Sequence, residues 1–103
     1  MIKVRILCAR GEVRSIAIQG HALSGEKGSD LVCAGVSACY CGAVSALENR
    51  YQTIAEKHAE GRALVEVKGQ ITPHDQSVLE VLKSQLAYLA GEEKEYISIE
   101  IES

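Results

Sequence analysis

Gly20-His21-Ala22-Leu23-Ser24-Gly25-Glu26-Lys27-Gly28-Ser29-Asp30-Leu31-Val32-Cys33-Ala34-Gly35-Val36-Ser37-Ala38 is the stretch where the chain changes its period. Before it, apolar residues recur at every second position, as in a half-buried strand. After it, nearly every position is apolar or small. Ala34, Gly35, Ser37, Ala38, Gly42, Ala43 and Ala46 predict a slim helix from Leu31 to about Glu48, lying closely against a sheet or a partner. Gly25 and Gly28 open backbone conformations between the two that other residues avoid. Ser29 or Asp30 is the candidate N-cap, since either side chain can accept from an orphan N–H one turn in.

Working back toward the N-terminus, Ile2, Val4, Ile6 and Cys8 fall on one face at period two. Ala9-Arg10-Gly11-Glu12 is a short polar turn, and Val13 to Gln19 resumes alternation through Ile16 and Ile18, so two antiparallel strands form a hairpin. Working forward, propensity favours continued helix through Ile54-Ala55-Glu56-Lys57, but a turn at Ala59-Glu60-Gly61-Arg62 would let residues 52 to 58 pair as a strand with Ala63-Leu64-Val65-Glu66-Val67-Lys68. Thr72-Pro73-His74-Asp75 is a helix start with Thr72 at N-cap, Pro73 at N1 and Asp75 placed as in a capping box. Val78, Leu79, Leu82, Leu86 and Leu89 then form one apolar stripe, and Gly91 stands where a glycine would stop the helix. A last strand from about Glu95 to Ile101 puts Ile97, Ile99 and Ile101 inward. The expected fold is a small single α+β domain over residues 1–103. Its antiparallel or mixed sheet is built from β-hairpins with two helices packed on it, in the order ββα(ββ)αβ.

Composition narrows the function. The chain has 103 residues, 47% of them hydrophobic, enough for one core built from Leu, Ile, Val and Ala, since Phe and Trp are absent. A net charge of −3 with scattered Lys and Arg argues against direct nucleic-acid binding. No signal-peptide pattern and no membrane-spanning run occurs, so a cytoplasmic protein with no membrane partner is expected, its four cysteines free thiols.

Cys33 and His21 are the pair that thiol chemistry requires. A thiol with a pKa near ~8.5 is mostly protonated at neutral pH, and the thiolate is the nucleophile. With Asp30 as N-cap, Cys33 would sit in the first turn, at the positive end of the helix dipole. His21 could ion-pair with it, nearby N–H groups could hold an oxyanion, and Asp30 could orient His21 as a triad's third member. Cys33, Cys39 and Cys41 project at about 0°, 240° and 80° around a helix, so they cannot share a metal, and no metal or organic cofactor is implied. Cys8, Cys39 and Cys41 read as core thiols. Ser37 and Tyr40 share the face of Cys33 and could line a pocket, with core packing the other reading of Tyr40. His58 and His74 read as surface or helix-start residues.

Gly20-His21-Ala22, the glycine-rich loop and Ser29-Asp30-Leu31-Val32-Cys33-Ala34-Gly35-Val36-Ser37-Ala38 resemble the signature of the ribosomal-processing cysteine proteases known as Prp. The resemblance extends over the whole chain in length and element order. It implies a bacterial cysteine endopeptidase that removes the N-terminal extension of the large-subunit ribosomal protein numbered twenty-seven, cutting after an aromatic residue. Cys33 is then the nucleophile and His21 the base, with Asp30 and Ser37 in support. A mobile substrate loop contains Gly20, Ala22, Gly25, Gly28 and Ser29. It also implies a homodimer, a strand rather than a helix at 52 to 58, and, without Phe or Trp, an aliphatic substrate pocket.

Two other readings compete. A non-catalytic ribosome-associated module could hold a peptide in the same groove. A thiol redox or acyl-transfer enzyme is disfavoured in its redox form, because no Cys-x-x-Cys occurs.

Overall fold

The computed structural model describes residues 1–20, 29–49, 53–58 and 61–103. Its elements are β1 (Ile2–Ala9), β2 (Glu12–Gln19), α1 (Ser29–Ala46), β3 (Thr53–His58), β4 (Arg62–Val67), α2 (Pro73–Glu92) and β5 (Ile97–Glu102). This is the expected order, with a strand at 53–58 completing the second hairpin. The strands form one sheet in the order β3-β4-β2-β1-β5. The β1–β5 pair is parallel and the other pairs are antiparallel, so the sheet is mixed.

Alternation decides which face is covered. Ile2, Val4, Ile6, Val13, Ile16, Ile18, Val65, Val67 and Ile97 turn to one face and join Val32, Val36, Tyr40 and Leu47 of the α1 segment in a single core. Leu79, Leu82, Leu86 and Ala90 of α2 complete it. Lys3, Arg5, Ser98 and Glu100 on the alternate positions stay exposed, so both helices cover the same face.

The first hairpin closes in two residues. Ala9 pairs with Glu12, and Arg10 (φ 54°) and Gly11 (φ 78°) both take positive φ. Two positive φ values are what a type I′ hairpin requires, and the turn's twist then matches that of the strands. A register shift between Leu7 and Cys8 leaves Arg14 as the extra residue, because Leu7 pairs with Ser15 and Cys8 with Val13. Such a bulge re-aims a side chain. Here the Arg14 guanidinium reaches across the sheet end and donates to the Gly69 carbonyl at 2.9 Å and the Val67 carbonyl at 3.3 Å.

Several local expectations need correction. The capping box forms by half: the Thr72 hydroxyl accepts from the Asp75 N–H at 3.2 Å. The Asp75 carboxylate does not turn back to Thr72. Fully buried, it accepts from the backbone N–H groups of Glu48 and Asn49, each at 2.9 Å, just beyond α1. Gly91 does not stop α2, which runs on to Glu92. Glu93 follows as C-cap, its N–H donating to the Leu89 carbonyl at 2.7 Å. One helical glycine costs only about 1 kcal/mol, and the turn after it supplies the termination. Ile101 pairs with Ile6 and so faces the core side, yet it is 49% exposed, because it ends an edge strand beyond the helices' cover. Cys41 is exposed on α1, while Cys8 and Cys39 are half-buried, so Cys41 is not a core thiol.

Candidate active site

Three segments converge at one end of the sheet: the start of β1, the end of β2 and the turn into β4. The N–H of Gly20 donates to the carbonyl of Gly61 at 3.0 Å, and the N–H of Ile2 donates to the carbonyl of Tyr96 at 2.7 Å. Gly20 has φ 99°, in the left-handed region that favours glycine, and Gly61 has φ 74°. A Cβ on Gly20 would also collide with the carbonyl oxygen of Met1. The glycine is therefore required twice over, by its backbone angle and by the close approach of β1.

Against this end lies the first part of α1, which carries Cys33. A cavity of about 180 Å³ opens between them, with Cys33, Val36, Ser37 and Tyr40 on the helix side and Ile2, Ile18, Gly20 and Ala63 among its sheet-side walls. Cys33 is half-buried and Ser37, one turn on, is exposed. The site thus brings a free thiol to the wall of a mostly apolar slot, with Ser37 and Arg62 as its polar lining, that a substrate can reach.

The helix begins at Ser29, so Ser29 and Asp30 lie inside it, where a loop position for Ser29 and an N-cap role for either were expected. Cys33 is then its fifth residue and follows the four orphan N–H groups. The dipole acts mainly over the first turn, so it assists the thiol less than a cap at Asp30 would imply. His21, Ala22, Gly25 and Gly28 lie outside the described residues, and Ser29 and Asp30 are described in backbone only. Of the candidate residues, Gly20, Cys33 and Ser37 are brought to one cavity. Ile2, Ile18 and Ala63 were missed as site residues, because in the sequence their periodicity signals only a core. Tyr40 makes the slot less than wholly aliphatic.

A family model described as cysteine protease Prp matches residues 1–98. The chain belongs to this family. It is accordingly a cysteine protease, as the Cys33 motif implied. Among solved structures, it is similar to the essential ribosomal processing protease Prp from S. aureus in complex with a covalently linked product peptide. The TM-score is 0.83 at 27% identity, covering 99% of this chain and 100% of that one. The same S. aureus protease with a substrate peptide gives a TM-score of 0.80 at 25% identity, with 99% and 100% covered. SMU.848 from Streptococcus mutans gives 0.80 at 26% identity, with 99% and 94% covered. No curated protein matches the sequence. Each of these structures is matched over 94% or more of its own length.

Proposed function

We propose that the chain is a ribosomal-processing endopeptidase in which Cys33 is the nucleophile and His21 its base. The observation that carries this is the position of Cys33 on the wall of an apolar cavity that Gly20, the residue to which His21 is bonded, also lines. In this reading His21 takes the thiol proton and the Cys33 sulfur attacks the scissile carbonyl. The tetrahedral oxyanion collapses to a thioester as His21 protonates the departing amine, and water then releases the acyl group. Asp30 orients His21, Ser37 supports the thiol from the next turn, and Gly20, Ala22, Gly25, Gly28 and Ser29 belong to the substrate-contacting segment.

The substrate is the N-terminal extension of the large-subunit ribosomal protein numbered twenty-seven. Support comes from the S. aureus neighbour, described as a ribosomal processing protease and solved with substrate and product peptides. That target places the enzyme in the cytoplasm, and no described helix is long and apolar enough to cross a membrane. The protein acts as a homodimer. Val81, 57% exposed, and Tyr88, 67% exposed, give α2 an outer apolar surface consistent with one.

Intact-mass spectrometry of the precursor after incubation with wild type and with Cys33→Ala tests this. A single N-terminal truncation made only by wild type is the expected result. Full cleavage by Cys33→Ala would remove Cys33 from the mechanism. An uncut precursor that co-purifies with both proteins would point to a peptide-binding module instead.

A further inference from the structure

The cavity beside Cys33 is mostly apolar, with Ser37 and Arg62 as its polar lining. Ile2, Ile18, Val36 and Ala63 are aliphatic, and Tyr40 is the one aromatic ring among its described residues. Tyr40 lies seven residues beyond Cys33, close to two helical turns, and so on the same face of α1. It is 4% exposed, and its hydroxyl donates to the Leu64 carbonyl in β4 at 3.0 Å. A tyrosine has only two side-chain torsions. Tied at the hydroxyl and packed against the core, this ring is held in place as a cavity wall.

We infer that Tyr40 is a specificity-determining residue: its ring sets the largest side chain the cavity accepts from the substrate residue whose carbonyl Cys33 attacks. The inference rests on Cys33 being the nucleophile. In the acyl-enzyme the sulfur is bonded to the carbonyl carbon, and the substrate's side chain hangs from the next atom along. That side chain cannot leave the neighbourhood of the thiol. The apolar cavity that has Cys33 in its wall is where it sheds water. A dry apolar cavity of about 150 Å³ holds one benzene ring. At about 180 Å³ and open to solvent on one side, this one gives a branched aliphatic group or a single ring full apolar contact, which a fused bicyclic group would overfill.

The test uses N-acetyl dipeptidyl chloromethyl ketones whose terminal residue carries an isobutyl, benzyl or naphthylmethyl side chain. The thiolate displaces chloride, a C–S bond forming as the C–Cl bond breaks, and intact mass with peptide mapping follows the rate at Cys33. Wild type is expected to react with the benzyl reagent about tenfold or more faster than with the naphthylmethyl one. Tyr40→Leu, which shortens the wall, should erase that ratio. Tyr40→Phe keeps the ring and should keep the ratio. Ala63→Leu narrows the cavity from the opposite side, and should slow the benzyl reagent about tenfold relative to the isobutyl one. Should Tyr40→Leu fail to fold, Ala63→Leu decides. Ratios unchanged in folded Tyr40→Leu and Ala63→Leu would overturn the inference and leave Cys33 as nucleophile. A ratio relaxed as much by Tyr40→Phe as by Tyr40→Leu would overturn ring size as its cause. Absence of alkylation at Cys33 by every reagent would overturn the nucleophile itself, and this inference with it.

Discussion

Removing the Asp75 carboxylate should destabilise the fold more than removing any surface charge does. The side chain is fully buried and accepts two backbone N–H bonds at 2.9 Å, from Glu48 and Asn49. A hydrogen bond to a charged group contributes about 1.5–3 kcal/mol, and a buried N–H left unmade costs about 1–3 kcal/mol. Glu48 itself is exposed and Asn49 half-buried, so water can partly rescue their N–H groups in Asp75→Ala. The loss is then about 3 kcal/mol, toward the lower end of the two-bond range. For a domain near this size, each 1 kcal/mol shifts the midpoint by about 4–8 °C, giving a fall of roughly 12 °C or more. Asp75→Asn is the sharper probe. Its amide oxygen can accept one N–H, but its NH2 would face the other, donor against donor, so the isosteric change should recover little. Urea unfolding of wild type, both Asp75 variants and Thr72→Ala supplies the comparison. The Thr72 hydroxyl makes one neutral cap bond, worth about 1 kcal/mol. If Asp75→Ala lost no more than Thr72→Ala, the carboxylate would not be what joins the two helices.

Gly20→Ala should fold poorly and lose activity. A non-glycine residue at φ 99° carries about 1–3 kcal/mol of backbone strain, and the collision of its Cβ with the Met1 carbonyl would push β1 away from the cavity wall. Thermal denaturation and precursor cleavage, run together, check this, and a variant with wild-type midpoint and rate would refute it. Arg14→Ala should cost about 1–3 kcal/mol in urea unfolding, because the carbonyls of Val67 and Gly69 lose a charged donor. Arg14→Lys should recover only part, since one ammonium replaces a fork that reaches both oxygens.

The regular parts of this fold were legible because each element states its own period. Period-two alternation in residues 2–8 and 13–19 and the helical stripe from Val78 to Leu89 placed both faces of the sheet and the buried side of α2. Thr72 and Pro73 marked the start of α2 by local chemistry alone. Readings that needed a distant partner were less secure. Asp75 sits where a capping box wants a carboxylate, and nothing local says that the end of α1 will offer two N–H groups instead. The bulge at Arg14 depends on the register of β1 against β2, which alternation does not fix to one residue. At 53–58 local propensity favours helix, and pairing with β4 overrides it. At the site, the motif marked Cys33, but the cavity beside it is made by Ile2, Ile18 and Ala63, whose core pattern hides a second use.

The two ends of α1 are held differently, and this separates stability from reactivity. Its last turn is anchored: the Asp75 carboxylate takes the N–H groups of Glu48 and Asn49, and His74 Nε2 lies 3.0 Å from the Ala46 carbonyl. Its first turns carry the thiol, where Cys33 faces a cavity rather than a packed neighbour on one side. From Cys33 to Ala46 the helix axis runs roughly 20 Å, at about 1.5 Å per residue. Mutations more than about 10 Å apart with no shared partner act independently. Asp75→Ala should therefore lower the midpoint while leaving the alkylation rate of Cys33 unchanged well below it. Gly20→Ala should lower both, because Gly20 belongs to the cavity and to the β1–β2 closure alike. Measuring the two variants side by side distinguishes a helix that merely carries the nucleophile from one whose anchoring tunes it. A Cys33 rate that fell in step with the midpoint in Asp75→Ala would show the second.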